Sequence, residues 1–290
     1  MHPAPSVIAF TVLSGMGFGL LAFLGAGYPV PAAGWGAFFH WGLGYGLAVG
    51  GLTASTLHLG NPQRALLAFT QWRSSWLSRE GWAAVAALVV LAPVALSDWL
   101  GLEWPRGVGV IGAGLSGATI LCTAMIYTQL KTVPRWNHWS TPVLFGLFAV
   151  TGGALLAGQV WVGVAGLIAL GGCLIFTFGD GAGRFAARGH SMATATGLGV
   201  IGEVSVFEQP HTGGNYLMRE MIHVVGRKHA AKLQIIAVAL ACVLPLFVIL
   251  VLPPVALPLA ILLHLTGAVV ARWLFFAQAE HVVGLYYGQR

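Results

Sequence analysis

Long apolar runs alternate with short polar links along nearly the whole chain. A hydrocarbon core about 30 Å thick needs roughly 20 apolar residues as helix. Runs of about that length lie at 6–27, 34–59, 81–100, 107–130, 140–157, 160–179, 232–252 and 255–280. Open strands would leave backbone groups unpaired in lipid, so every run is expected to be helical. The breaks carry turn chemistry: Gly27-Tyr28-Pro29 ends the first run, Gly60-Asn61-Pro62 follows the second, and Pro253-Pro254 divides the last two. The expected fold class is an all-α integral membrane protein of eight transmembrane helices. It forms one membrane domain over 1–290, with a long loop at 180–231 between the sixth and seventh spans.

Composition agrees. Hydrophobic residues make up 57% of the chain and charged residues 8%, so lipid must be the solvent for most of it. The 41 glycines favour close helix packing, and Gly42, Gly46 and Gly50, four residues apart, predict a packing groove. The start, MHPAPSVIAF, lacks a basic n-region and a small-residue cleavage site, so the first run is expected to be retained.

Charge gives an orientation. With eight spans, twelve of the 14 lysines and arginines fall on the side shared by both termini and the 2–3, 4–5 and 6–7 links. Arg106 stands alone on the opposite side, and Arg272 lies inside the last run. The positive-inside rule then puts both termini in the cytoplasm. The net charge of +6 belongs to these loops and needs no nucleic acid to explain it.

Two links are expected to have structure of their own. Asn61 can cap a short helix with Pro62 in its first turn. Ala65, Phe69, Trp72 and Trp76 would then share one face, as in an interfacial helix lying among lipid headgroups. The 180–231 segment is too long for a plain connector. Within it GLGVIGEVSVFEQP reads as extended, and NYLMREMIHVVGRKHAAK as a basic helix leading into the seventh span. It would serve as a docking surface for a soluble partner or as a packed lid.

The link from Leu57 to Glu80 carries the candidate chemistry. Only 8 residues are acidic, and one of them, Glu80, stands at the mouth of an apolar run, 22 positions after His58. Quinone reduction consumes two electrons and two protons, so its site needs groups that exchange protons at a depth the isoprenoid tail reaches. Histidine titrates near neutrality, and a partly desolvated glutamate can serve as an acid or base. The alternative is structural: a histidine ending one helix and a glutamate in the first turn after Ser78 both suit the helix dipole. Arg64, Arg73 and Arg79 would contact quinone oxygens or a partner's carboxylates, or else lipid headgroups.

Other chemistries have less support. Cys122, Cys173 and Cys242 are isolated within apolar runs with no C-x-x-C pair, which argues against an iron–sulfur cluster or a disulfide framework. Haem is the main rival cofactor. His40 and His264 fall toward one face and His58 and His281 toward the other, without a repeated ligand spacing. Gly112-Ala113-Gly114-Leu115-Ser116-Gly117 matches G-x-G-x-x-G inside an apolar run, without the strand a dinucleotide site needs. A secondary transporter would be expected to carry charged residues near mid-membrane and a pair of broken helices.

STLHLGNPQRA followed by SSWLSRE resembles the membrane anchor subunits of dimethyl sulfoxide reductase-type molybdoenzymes. Tyr127 with TVPRWNHWSTP, the Arg272–Phe276 region and His281 fit the same pattern. The resemblance implies an anchor that holds an iron–sulfur electron-transfer subunit and a molybdopterin catalytic subunit at the bacterial inner membrane. It implies exchange of electrons with ubiquinone or menaquinone, and no haem, molybdenum or iron–sulfur cluster in this chain. His58 and Glu80 stand where that family has its site histidine and glutamate, and Arg64, Trp72, Arg73 and Ser78 would shape the quinone pocket. MHPAPSVIAFT and NYLMREM…GRKHAAK are similar to the branch that anchors cytoplasmic-facing sulfite dehydrogenases. That branch implies electron flow from sulfite to quinone. The reductive alternative oxidises quinol to feed a terminal reductase.

Overall fold

The computed structural model describes residues 1–28, 33–57, 59–208, 213–222 and 229–287. Long helices occupy the expected apolar runs: α1 (Pro5–Gly25), α2 (Trp35–Thr56), α3 (Trp76–Leu100), α4 (Arg106–Thr128), α5 (Ser140–Leu156), α6 (Val160–Gly181), α7 (Ala230–Val251) and α8 (Leu257–Ala277). No strand occurs among the described residues. Among the described residues six helices, all but α2 and α5 of those named, are long and apolar enough to cross a membrane. At 17 residues α5 is about 25 Å long, short of the hydrocarbon thickness. The 22 residues of α2 suffice in length, but glycine, threonine, histidine and tryptophan dilute its hydropathy.

Helix α1 runs through two apolar cores. Its first half (Ile8, Val12, Met16) joins one built from α4 to α8, and its second half (Phe18 to Leu24) joins one built with α2 and α3. Backbones meet directly around it. A Cβ on Gly19 would lie 2.0 Å from the Ala149 carbonyl oxygen of α5, and one on Gly17 would lie 2.3 Å from the Ala48 nitrogen of α2. The expected groove at Gly42, Gly46 and Gly50 is not where α2 packs, since a Cβ at any of them meets nothing within 4 Å. Gly44 and Gly51 face α1 instead, on the other side of the helix. The G-x-G-x-x-G run lies within α4, where Gly112 receives the Leu91 side chain.

Helix α3 begins five residues before the expected 81. Ser75 caps it, accepting the Ser78 N–H at 3.5 Å, so Ser78 is not the cap and Glu80 lies beyond the first turn. The link before it is a 3-10 helix, Pro62–Phe69, followed by turns, and the Asn61 side chain makes no capping bond. The single aromatic face expected over 61–76 is therefore broken.

Helix α7 contains a turn of π-helix at Ala239–Val243, just before Pro245. The α-helical donor to the Ala241 carbonyl would be the N–H of residue 245, which proline lacks. His264 of α8 fills the gap with its Nδ1 at 2.7 Å from that oxygen, which makes Nδ1 the protonated nitrogen.

The segments outside the long helices are stitched together at one end. The Met1 amine donates to the Ala279 carbonyl at 2.7 Å, and the Val282 N–H donates to the Thr132 carbonyl at 3.0 Å. Arg184 donates to Asp180, to the Arg135 carbonyl and to Ser140 Oγ. Tyr286 donates to the Ala195 carbonyl, and Asn215 to the Tyr287 hydroxyl. Burial, then the Arg184 cation, pushes the nearby His138 imidazole below its ordinary pKa, and its Nδ1 accepts the Ser140 N–H. The segment expected to be extended holds a 3-10 turn at Leu198–Val200 and irregular backbone, with Val200, Ile201 and Phe207 exposed. The expected basic helix is one π-helical turn, Leu217–Met221; residues 223–228, with Arg227 and Lys228, lie outside the described residues, as does Arg290. At the opposite end Asp98 accepts from Trp41 Nε1 at 3.0 Å and pairs with Arg106 at 3.2 Å.

Gly19→Ala should lower stability by about 1–3 kcal/mol through overpacking, whereas Gly42→Ala should be neutral or slightly stabilising; thermal melts in detergent compare the two. His264→Leu should cost about 1–3 kcal/mol in the parent chain by orphaning the Ala241 carbonyl. The cost should shrink in a Pro245→Ala background, where a backbone N–H returns, and a double-mutant cycle measures the difference.

Candidate functional site

The site is built where α3 meets α4. Glu80 is the fifth residue of α3 and only 3% exposed. Thr123 of α4 donates its hydroxyl proton to Glu80 Oε1 and also lies 3.0 Å from the Thr119 carbonyl oxygen. A hydroxyl has one proton, so these two bonds alternate. With Glu80 ionised, Thr123 donates to the carboxylate. With Glu80 protonated, the carboxyl donates to Thr123 Oγ1, and the threonine proton turns to Thr119. Either state leaves the buried carboxyl bonded.

The polar link folds back over the start of α3. Arg79 donates to the Trp72 carbonyl at 2.9 Å and to the Arg73 carbonyl at 2.6 Å, and its guanidinium stacks 4.4 Å from the Trp76 ring centroid. The Trp82 indole donates to the Phe69 carbonyl at 3.0 Å, while the Phe69 ring fills the space beside Gly81. Arg79 thus ties the link to the helix. Arg73 lies over Trp72, Trp72 itself is exposed, and Arg64 is exposed on the 3-10 helix. Ser78 is fully buried, and its Oγ has no partner among the described residues. His58 lies outside the described residues, between Leu57 and Leu59, which are both exposed.

Inward from Glu80 the polar character continues. Thr123 lines a cavity of about 20 Å³ shared by α1, α4, α5 and α8, and Arg272 of α8 lines the same cavity. The Arg272 guanidinium sits 3.7 Å from the Phe145 ring centroid, and Tyr127 is within electrostatic reach of both Glu80 and Arg272. Thr123 and Tyr127 are absent from the set expected to form the pocket. The signal for them was a stripe of hydroxyls down α4: Ser116, Thr119, Thr123 and Tyr127 recur every three or four residues on one face.

Two histidines of the haem alternative bond to helix carbonyls through Nδ1. His264 is fully buried with Nδ1 committed to Ala241, and His40 Nδ1 lies 2.8 Å from the Gly36 carbonyl of its own helix. Among the described residues no group of three or more His, Cys, Asp or Glu side chains is placed to hold a metal ion.

Comparisons with known proteins bear on the whole sequence. Residues 2–288 match the family described as DMSO reductase anchor subunit (DmsC). The C subunit of sulfite dehydrogenase from Allochromatium vinosum is 31% identical, with 99% of each sequence covered. The C component of anaerobic dimethyl sulfoxide reductase from Escherichia coli is 31% identical over 130 residues, covering 40% of this sequence and 42% of its own. No solved structure matches with significance. With six sufficiently apolar helices in a multi-pass bundle and a match over nearly its full length, this protein belongs to the DMSO reductase anchor subunit family.

Proposed function

We propose that this protein is the quinone-binding membrane anchor of a sulfite-oxidising molybdoenzyme complex. It passes electrons from an iron–sulfur partner, fed by a molybdopterin catalytic subunit, to the quinone pool. The observation that carries the reading is Glu80: a carboxyl group buried near one end of the bundle, held by a threonine hydroxyl that can serve either protonation state. A structural carboxylate would gain more from a helix first turn; Glu80 stands beyond that turn and has its hydrogen bond from Thr123.

A bound quinone supplies the two-electron chemistry and the oxygens that take up protons. The protein's part is to bring protons to those oxygens and keep bulk water away. Glu80 delivers a proton and is recharged, while Thr123 rotates between the carboxyl group and the Thr119 carbonyl as the charge changes. His58, before the link, would hydrogen-bond a carbonyl oxygen of the ring. Arg64, Trp72, Arg73 and Ser78 would border the head, and the exposed Leu66, Leu67 and Trp72 suit the headgroup layer. The same groups would serve quinol oxidation in reverse. Sulfite is preferred as electron source because similarity to the sulfite dehydrogenase subunit extends over 99% of the sequence, against 40% for the dimethyl sulfoxide reductase component.

The eight helices are proposed as eight spans, with the short α5 crossing inside the bundle, shielded by the longer helices, and α2 crossing at its edge against α1 and α3. The end where both terminal segments and the 4–5 and 6–7 links are stitched together carries most of the basic residues. It is therefore assigned to the cytoplasmic face of the inner membrane. The exposed Val200, Ile201 and Phe207 at that end give the iron–sulfur partner an apolar landing.

Glu80→Gln should lower sulfite-to-quinone electron transfer by about a hundredfold or more, with assembly and dye-linked sulfite oxidation retained; wild-type quinone reduction would remove Glu80 from the mechanism. Thr123→Val should cost about tenfold, the worth of one hydrogen bond to a charged group. Reporter fusions at both ends of the protein should be active only in their cytoplasmic form, and a periplasmic reading at either end would overturn the orientation.

A further inference from the structure

Arg272 is 3% exposed, yet its Nε and Nη1 have no hydrogen-bond partner among the described residues. The Phe145 face accounts for the cation but not for those donors. Leaving N–H groups of a buried guanidinium unbonded is costly. Both the donors and the means to satisfy them meet in the cavity behind Glu80. Thr11, Ser14 and Thr123 line it together with Arg272. Thr11 donates to the Val7 carbonyl at 2.9 Å and Ser14 to the Phe10 carbonyl at 2.6 Å, so each oxygen keeps lone pairs that can accept. The volume of about 20 Å³ exceeds the roughly 10–15 Å³ that one water requires.

We propose that this cavity is a water-binding site, and that its water joins Arg272 to Glu80 through Thr123. The direction of every bond is fixed by the donors present. Arg272 can only donate, so it donates to the water. The water donates to Thr123 Oγ1, and Thr123 donates to the Glu80 carboxylate. The series of bonds thus begins on a fixed cation and ends on a carboxylate, and each member polarises the next. When Glu80 is protonated, only the last link changes: Thr123 accepts from both the carboxyl group and the water and donates to Thr119. Arg272 is a positioning residue in this scheme. It touches no substrate, and it favours the ionised form of Glu80 from the far side of α4. The scheme rests on the reading of Glu80 as a proton-exchanging group; Tyr127 and Cys122 are within electrostatic reach of that carboxyl, and Arg79, its neighbour in sequence, donates to the Trp72 and Arg73 carbonyls.

The test is infrared difference spectroscopy on the protein purified with its partner subunits, with the Glu80 bands assigned by their loss in Glu80→Gln. At fixed pH, Arg272→Gln should raise the ratio of protonated to ionised Glu80 by about tenfold or more, and Arg272→Lys should restore most of it. Arg272→Gln removes a buried cation and can fail to fold, so a second variant leaves every polar group in place. Gly15 lines the cavity, and a Cβ there meets nothing within 4 Å. Gly15→Val should fill the space, abolish a water band sensitive to heavy-oxygen water, and raise the protonated fraction of Glu80 in the same direction. Wild-type Glu80 bands in Gly15→Val, or in a folded Arg272→Gln, would overturn the proposal. The bands report the charge on Glu80 whether or not quinone turnover depends on it. Full turnover in Glu80→Gln would thus end the functional reading by itself, while the water link stands or falls on the spectra.

Discussion

Everything in this bundle follows from one constraint: inside lipid, polar groups must find their partners within the protein. Most of the hydroxyls obey it locally, bonding back to carbonyls one turn earlier, as Thr11, Ser14, Ser116, Thr119 and Thr128 do. Where proline removes a donor, a neighbouring helix supplies one, and His264 serves Ala241. Against that background the departures stand out. Ser78 Oγ, Thr151 Oγ1, two nitrogens of Arg272 and the second nitrogen of His264 are buried without partners among the described residues. Two of those four residues border the Glu80 region, Ser78 in the same helix and Arg272 across the cavity that Thr123 lines.

Packing makes that constraint affordable. Helix α1 touches its neighbours through glycine, so backbones approach closely and hydroxyl-bearing faces of α1 and α4 are brought inside. The same closeness leaves little unfilled volume, and the cavity between Thr123 and Arg272 is correspondingly small. Carboxyl, hydroxyl and guanidinium are therefore held by three helices, α3, α4 and α8, rather than by loops, which gives them fixed positions.

The helices were legible because apolar runs of bilayer length leave few other structures open. Their edges were less so. The start of α3 was displaced because Trp76 to Arg79 reads as polar link, although Ser75 offers an equally good cap. The glycine repeat on α2 misled for a related reason: spacing gives a common face but not which face turns inward, and Gly44 and Gly51 won. Glu80 could be picked out because carboxylates are scarce and because its flanking motif resembles a family. Thr123 could not, since a threonine in an apolar helix ordinarily bonds to its own backbone. Arg272 was visible as an odd charge within a span and as part of the family pattern. Its connection to Glu80 depends on α8 lying beside α1, α4 and α5, a tertiary fact with no local trace.

The stacking of Arg272 on Phe145 has a consequence for how the protein is made. An arginine inside a span opposes insertion by up to about 2.5–3.5 kcal/mol, a cost set against the apolar remainder of α8. The ring that receives the guanidinium belongs to α5, more than a hundred residues earlier in the sequence and one of the helices least able to cross on its own account. Helix α5 is short for the hydrocarbon core and α8, though apolar enough to cross, carries a buried cation that the α5 ring receives. The final seating of α5 should therefore await α8, whose guanidinium closes over Phe145.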